Sequence, residues 1–139
     1  LGKISAKPFN GSGAVINKTQ YIIEPEGDSK GRTNESFFAN YKAQCWWHIR
    51  DLFKHTYEAV ENGGKFDINK IISISSKCKN LTTITTELSQ PTYKKDNRGK
   101  VIVNKAPDDA MSPNGADSIM MGFAPKESEE PDFFDLDWS

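Results

Sequence analysis

Apolar residues recur every three to four positions through the middle of the chain, which is the spacing of one face of an α-helix. The pattern predicts a long helix over about Glu35–Glu61. Thr33 or Asn34 can cap its start, and the glycine pair at Gly63 can stop it. The apolar stripe of this helix comprises Phe38, Cys45, Ile49, Leu52, Phe53, Thr56 and Val60. Four more aromatic residues widen the stripe: Tyr41, Trp46, Trp47 and Tyr57. We therefore expect the helix to pack on more than one side.

Shorter elements are predicted on both sides of this helix. Ile4–Phe9 has the pattern of a short strand, followed by a glycine-rich turn over residues 10–13. Residues 17–34 mix Gly, Pro, Asp and Ser, and they predict a long loop. Residues 67–74 are short and ambiguous, whereas Asn80–Ser89 predicts a short helix despite its β-branched content.

The last third of the chain predicts a hairpin and a final helix. Thr92–Lys95 and Lys100–Asn104 flank the turn sequence DNRG, which is a β-hairpin signal. A helix follows over about Pro113–Phe123, with Ser112 as its N-cap and Pro113 at its first position. Asp117 is the one acidic residue on this helix. Ile119, Met120 and Phe123, the apolar residues after it, are expected to hold the helix against a sheet.

The composition fits one globular domain with enough aromatic mass for a core. The chain has 139 residues, 36% of them hydrophobic and 27% charged, including eight Phe, four Tyr and three Trp. No run approaches the roughly 18 apolar residues of a membrane span, so no membrane partner is expected. Cys45 and Cys78 fit no zinc spacing, and reduced thiols are favoured over a disulfide. Because the first residue is Leu, we expect the chain to be a piece of something longer.

Charge is unevenly distributed along the chain. Residues 126–139 carry one Lys against six acidic residues, a net −5, so the total of −1 leaves the preceding body at +4. A basic body is compatible with a phosphate-rich partner, and an acidic aromatic tail is compatible with a different one.

Four segments of the sequence, taken together in their order and spacing, indicate a relationship to a known family. They are FNGSGA (9–14), FFANYKAQCWWHIRDLF (37–53), ELSQPTY (87–93) and GKVIVNKAPDDAMSPNGADSIMMGFAP (99–125). Together they resemble the nuclease domain of the large terminase subunits of tailed bacteriophages and prophages, over most of residues 4–125. The resemblance implies an α/β RNase H-like fold, of which this chain holds the C-terminal part: a long aromatic helix, a β-hairpin and a C-terminal helix. Residues 1–125 would form this domain without its first strands, and residues 126–139 a flexible tail.

The resemblance also implies an activity. It predicts a metal-dependent endonuclease that cuts concatemeric double-stranded viral DNA in the bacterial host cytoplasm, using two Mg²⁺ or Mn²⁺ ions. Portal protein and the small terminase subunit would be further partners. No phosphate-binding loop of the Walker type occurs, so the chain is not the packaging motor. The alternatives are a non-catalytic DNA-binding or assembly module of the same machinery and an unrelated interaction domain.

Asp117 matches the acidic residue that this family places on its C-terminal helix. The other two acids of the family's site would lie upstream of Leu1, so the isolated fragment is expected to be inactive. A simpler interpretation of Asp117 is a first-turn charge that favours the helix dipole. Asn114, one turn earlier, is a candidate for orienting a metal-bound water. Asp108 and Asp109 are candidates for additional contacts to the site, although a solvated turn explains them as well.

Basic residues concentrate on and around the predicted hairpin: Lys94, Lys95, Arg98, Lys100 and Lys105. Beside a nuclease site they would track the DNA backbone, although lysines on a hairpin also protect sheet edges.

Other residues that bear chemistry have plainer expectations. His48 and His55 lie two helical turns apart and cannot share one metal ion, and with Cys45 they are expected to be structural. Buried core is the favoured interpretation of Trp46 and Trp47, ahead of base stacking. In the tail, the aromatic residues are candidate anchors for a partner's groove: Phe133, Phe134 and Trp138. A second interpretation is that the tail shields the basic DNA-binding surface.

Overall fold

The computed structural model describes residues 7–104 and 114–128. Several predictions fall outside these ranges: the start of the first strand, Ser112 and Pro113, the tail beyond Ser128, and the candidate site residues Lys105, Asp108, Asp109, Phe133, Phe134 and Trp138. Residues 7–9, which end the predicted first strand, are not in a strand.

Helices and short antiparallel strands alternate along the described chain. In order they are β1 (Tyr21–Ile23), β2 (Arg32–Thr33), α1 (Asn34–Phe37), α2 (Tyr41–Asn62), a 3-10 helix (Ile68–Lys70), α3 (Leu81–Ser89), β3 (Thr92–Lys95), β4 (Val101–Asn104) and α4 (Asn114–Gly122). β1 pairs with β2, and β3 pairs with β4. None of the described helices combines the length and the apolar character needed to cross a membrane.

The predicted long helix is divided in two. The Thr33 side chain caps α1 by accepting the Ser36 N–H, as predicted, but the helix ends after four residues. Phe38 is extended and bridges Val101 of β4 in parallel, and the Ala39 N–H donates to the Val101 carbonyl at 2.9 Å. Asn40 then caps α2 through the Ala43 N–H. The prediction of one continuous helix was therefore wrong, because pairing with β4 takes the backbone out of the helix at Phe38.

The predicted end of the long helix is confirmed. Gly63 follows α2 in the left-handed conformation (φ 58°), and its N–H donates to the Ala59 carbonyl at 3.2 Å. Glycine is the residue that adopts this conformation at no steric cost, so it ends the helix cleanly.

The segment predicted as a long loop contains a small hairpin. Tyr21 pairs with Thr33 and Ile23 with Arg32, with an irregularity between them, and Glu26 bridges Ser29 near the tip. The prediction missed this pairing because the apolar run is only three residues long and the turn is rich in Gly, Pro and Asp.

The second hairpin matches the prediction closely. β3 and β4 are antiparallel, with Tyr93 opposite Val103 and Lys95 opposite Val101. Lys100 lies in the turn rather than in the strand, because Asp96 holds it there: Asp96 Oδ1 accepts the N–H groups of Arg98 and Lys100, each at 2.9 Å. Hydrogen bonds from the Lys100 backbone and the Arg98 side chain lower the pKa of the Asp96 carboxyl.

The core consists of two clusters that both draw on α2. One cluster comprises Cys45, Trp46, Ile49, Leu52, Ile72, Ala116 and Met120. The other comprises Val15, Phe37, Phe38, Ala43 and Val101. The expectation that the long helix packs on more than one side is confirmed, and so is the burial of Trp46.

A buried glutamine ties the N-terminal segment to α2. The Gln44 side chain accepts the Ile16 N–H at 2.9 Å and donates to the Ile16 carbonyl at 3.0 Å. Gln44→Leu is expected to lower the free energy of unfolding by about 1–3 kcal/mol, because both backbone groups of Ile16 lose their partner. Urea denaturation measures the change. Gln20→Leu, at an exposed position, should change it by less than about 0.5 kcal/mol. Equal effects of the two substitutions would contradict this role of Gln44.

Candidate functional site

The candidate site lies on α4, which packs against helices. Ala116 and Met120 are fully buried, one turn apart, in the cluster that contains Trp46 and Ile49 of α2. We expected this helix to be held against a sheet by Ile119, Met120 and Phe123. Among the described residues α4 instead lies against α3 and α2, and Phe123 is exposed.

The first turn of α4 is fixed by a carboxylate from α3. Glu87 Oε2 accepts the Ala116 N–H at 2.9 Å. A Cβ atom added at Gly115 would lie 2.9 Å from the same oxygen and 3.1 Å from Ile84 Cγ1, so a side chain at this position would displace the Glu87 carboxylate. A negative charge at a helix N-terminus is also favourable to the helix dipole. The sequence analysis missed Glu87, because no local pattern links it to a helix 29 positions away.

Asp117 follows directly on this fixed turn and is buried. Its residue exposure is 9%, and its Oδ1 atom is inaccessible to solvent. The position therefore differs from that of a solvated first-turn charge, although the carboxylate still lies in the favourable end of the helix dipole. Carboxylate oxygens are the ligands that Mg²⁺ and Mn²⁺ prefer, and a low-polarity environment strengthens their attraction to a cation.

The described residues place no complete metal cluster around Asp117. Across residues 7–104 and 114–128, no three His, Cys, Asp or Glu side chains lie close enough together to hold an ion. Asn114 is the exposed first residue of α4, and its carbonyl accepts the Ser118 hydroxyl at 3.0 Å.

The basic residues of the hairpin do not form one patch. Lys94 and Lys95 are exposed neighbours on β3, and consecutive side chains of a strand point to opposite faces. Arg98 forms an ion pair with Asp96 at 2.8 Å, so part of its charge is compensated locally. Lys100 is half-buried in the turn. Among the described basic residues of the hairpin, Lys94 and Lys95 are thus the two that are exposed without the local ion pair that Arg98 makes.

Trp47 is engaged in packing rather than offered as a stacking platform. Its ring meets those of Phe37 and Tyr93 edge to face, with centroids 5.1 and 5.2 Å apart. The Arg50 guanidinium lies 4.3 Å from the Trp47 ring centroid, within the range of a cation–π interaction. Trp47 is half-buried, so the buried-core interpretation holds fully for Trp46 alone.

Of the candidate soft ligands on α2, Cys45 is buried in the apolar core and His48 is half-buried. Desolvation raises the pKa of the Cys45 thiol to about 11, and desolvation together with Cys45 raises the pKa of Tyr41 to about 12. Desolvation lowers the pKa of His48. These shifts favour neutral forms, which agrees with structural roles for Cys45 and His48.

This burial predicts a difference between the two thiols, which are both free. Because the thiolate is the reactive form, Cys45 should resist an aromatic disulfide reagent at pH 8 while Cys78, which is only half-buried, reacts. We expect one equivalent of thiol in the native protein and two in denaturant, measured by absorbance. Cys78→Ser is the control and should leave no native reactivity. Two fast-reacting thiols in the native protein would contradict the burial of Cys45.

Comparison with known proteins decides the fold. No family model matches the chain, and neither does any curated protein. Among solved structures, the nuclease domain of the large terminase subunit gp2 of bacterial virus Sf6 matches with a TM-score of 0.67 and 27% identity, over 85% of this chain and 52% of that one. The chain has the fold of this terminase nuclease domain. The predicted resemblance and the α/β RNase H-like fold class are therefore confirmed.

Further structures of the same Sf6 domain match equally well. A mutant determined with manganese and beta-thujaplicinol has a TM-score of 0.67 and 28% identity, and a mutant determined with calcium has 0.66 and 26%. Each match covers 85% of this chain and 52% of the Sf6 chain. The chain thus spans about half the length of the nuclease domains it matches.

Proposed function

We propose that the chain is the C-terminal part of a metal-dependent endonuclease domain that cuts concatemeric double-stranded DNA during phage DNA packaging. The observation that carries this proposal is the match to the Sf6 terminase nuclease domain, whose structures include forms with manganese and calcium. The similarity supports a terminase nuclease-type domain, and the cleavage of DNA is our inference from it.

In this proposal Asp117 holds a divalent ion, Mg²⁺ or Mn²⁺, together with acids from the remainder of the domain. Two such ions, when bound, would activate a water molecule and stabilise the leaving oxygen of the phosphodiester. The chain's own part is to fix the carboxylate. The side chains of Ala116 and Met120 pack α4 into the core, and Glu87 holds its first turn through a hydrogen bond. Asp117 therefore lies on a rigid element. Asn114, Asp108 and Asp109 stay predictions as auxiliary residues.

Contact with the DNA backbone is proposed for the hairpin. Lys94 and Lys95 supply the exposed charges, Arg98 and Lys100 lie in the turn, and Lys105 follows β4. Phosphate contacts of this kind give affinity without sequence preference.

Neutralising the hairpin lysines tests this proposal. Binding of duplex DNA weakens as salt rises, with a logarithmic slope of about −0.9 for each phosphate contact. The double variant Lys94→Ala/Lys95→Ala is expected to flatten that slope by about one unit for each of the two lysines that contacts a phosphate, measured by fluorescence anisotropy across a salt series. Arg98→Ala should flatten it by less, because Asp96 already compensates part of that charge. The control is Lys77→Ala/Lys79→Ala, which removes the same charge outside the hairpin. An equal effect of both double variants would indicate a net-charge effect and refute a local contact.

Portal protein and the small terminase subunit remain proposed partners, and the host cytoplasm the proposed location. Phe133, Phe134 and Trp138 are the proposed anchors for such a partner. A non-catalytic DNA-binding or assembly module is the second candidate function. A manganese titration separates the two functions, because only the endonuclease requires a metal ion whose binding depends on Asp117.

A further inference from the structure

An apolar groove lies between α2, α3 and the β3–β4 hairpin, and none of its lining residues belongs to α4. Its volume is about 410 Å³, which is within the range of pockets that bind small molecules. Six of its apolar lining residues are Trp47, Phe53, Ile74, Leu88, Tyr93 and Val103.

The apolar face of α2 continues beyond the groove. Phe53, which lines the groove, is followed at helical spacing by Tyr57 and Val60. These two side chains are 67% and 74% exposed. Tyr93 of the hairpin wall is also exposed. A helix face this apolar and this open indicates a surface that something covers.

We propose that residues 129–139 of this chain dock in the groove and place Phe133, Phe134 and Trp138 against its apolar wall. The proposal is independent of the nuclease function, since it uses none of the residues assigned to metal or catalysis. Its first support is composition. The sequence EEPDFFDLDWS supplies four large apolar side chains within six residues, which is enough to fill the groove.

The second support is the point at which the described chain ends. The Asn17 side chain clamps residues 126–128: its Nδ2 donates to the Lys126 carbonyl, and its Oδ1 accepts the Ser128 N–H, each at 2.9 Å. Asn17 and Trp47 line the same small cavity of about 170 Å³, and Trp47 also lines the groove. The clamp thus places Ser128 beside Asn17, which lines a cavity that shares Trp47 with the groove.

The eleven residues that follow Ser128 are long enough for the remaining distance. An extended chain spans at most about 3.3–3.6 Å per residue, so they reach roughly 36–40 Å. This exceeds the 33 Å or so of the whole of α2, at 1.5 Å per residue over its 22 residues.

The third support is charge. Residues 129–139 carry five acidic residues and no basic one. Tyr93 of β3 lines the groove, and the strand continues into Lys94 and Lys95, one on each of its faces. Arg50, which is ion-paired with Asp51, lines the groove beside Trp47. Opposite charges on the segment and on the rim favour docking and fix its orientation.

Disulfide trapping tests the proposal in the full chain. Leu136→Cys places a thiol between the tail aromatics, and Thr85→Cys places one in the groove at an exposed position of α3. Thr83→Cys is the matched control, because it lies two residues away and therefore on the opposite face of the same helix. All variants carry Cys78→Ser, and Cys45 stays buried. Circular dichroism checks that each variant folds.

Under mild oxidation, the Leu136→Cys/Thr85→Cys variant is expected to form an intramolecular disulfide at least about tenfold faster than the Leu136→Cys/Thr83→Cys control. Non-reducing electrophoresis separates monomers with an internal disulfide from covalent dimers. Equal rates for the two variants would overturn the proposal and leave the groove to another partner. Dimers whose share rises with protein concentration would overturn it in favour of a second copy of the chain.

A second measurement uses the native cysteines and needs no oxidation. Phe133→Ala/Phe134→Ala is expected to shift the NMR signals of the Trp47 indole N–H and of the Leu88 amide, while the Ile23 amide in β1 stays unchanged. Unchanged groove signals would overturn the proposal even if a disulfide formed.

Discussion

Replacing Asp117 by alanine is expected to lower manganese-dependent plasmid cleavage by on the order of 100-fold or more, in a protein that carries the full length of the nuclease domain. Loss of residues that only support metal ligands already costs about 10–100-fold, so loss of a ligand should cost at least as much. The physical reason is that alanine removes a buried carboxylate held on a fixed helix turn. A water molecule in its place would supply neither the negative charge nor the fixed position. Conversion of supercoiled to nicked and linear DNA measures the rate.

Two companion variants make this prediction specific. Asp117→Asn keeps the shape of the side chain and removes the charge, and it should be nearly as inactive as the alanine variant. Asp67→Asn changes an exposed acid that caps the 3-10 helix, a role that asparagine also performs, and it should leave cleavage within about twofold of the parent. Full cleavage by a folded Asp117→Asn variant would refute the assignment of Asp117 as a ligand.

Phe38→Ala is expected to lower the free energy of unfolding by about 3–5 kcal/mol. Phe38 is 2% exposed and is among the largest fully buried side chains. It lies where the chain leaves α1, pairs with β4 and re-enters a helix at α2, so its ring fills the junction between the helices and the hairpin. Urea denaturation followed by circular dichroism measures the change.

The matched control is a phenylalanine outside the core. Phe66 is exposed after the end of α2, and Phe66→Ala should change the free energy of unfolding by less than about 0.5 kcal/mol. A similar loss for both variants, or a loss below about 1 kcal/mol at Phe38, would contradict the central packing role of this residue.

The elements that could be predicted are those with strong local signals. The stop of α2 at Gly63 follows from the conformational freedom of glycine, and the β3–β4 hairpin follows from its turn sequence. The apolar stripe of α2 was long enough to reveal a helix packed on two sides.

The elements that could not be predicted depend on contacts between distant residues. Phe38 continues the helical stripe in the sequence, yet pairing with Val101 takes its backbone out of the helix. Glu87 reaches the first turn of α4 from another helix, and Asn17 holds the chain at Lys126 and Ser128 across more than a hundred positions. Such contacts leave no periodicity in either partner.

The candidate site was likewise predictable only in part. The helix that carries Asp117 was predicted from its pattern, and Asp117 was singled out as its one acidic residue before the family resemblance gave it a role. Its burial, and the support of its helix by Glu87 and Gly115, became visible only in the folded chain. The lysines show the converse: neighbours in the sequence on β3 point to opposite faces, so a cluster of charges in the sequence is not one surface.

The most direct test of the central claim is calorimetric titration of manganese into the full-length domain and into its Asp117→Asn variant. Our account predicts that the substitution weakens manganese binding at least about tenfold or abolishes one of two binding events, while the Asp67→Asn control binds like the parent. Identical affinity and stoichiometry for the parent and a folded Asp117→Asn variant would contradict the account.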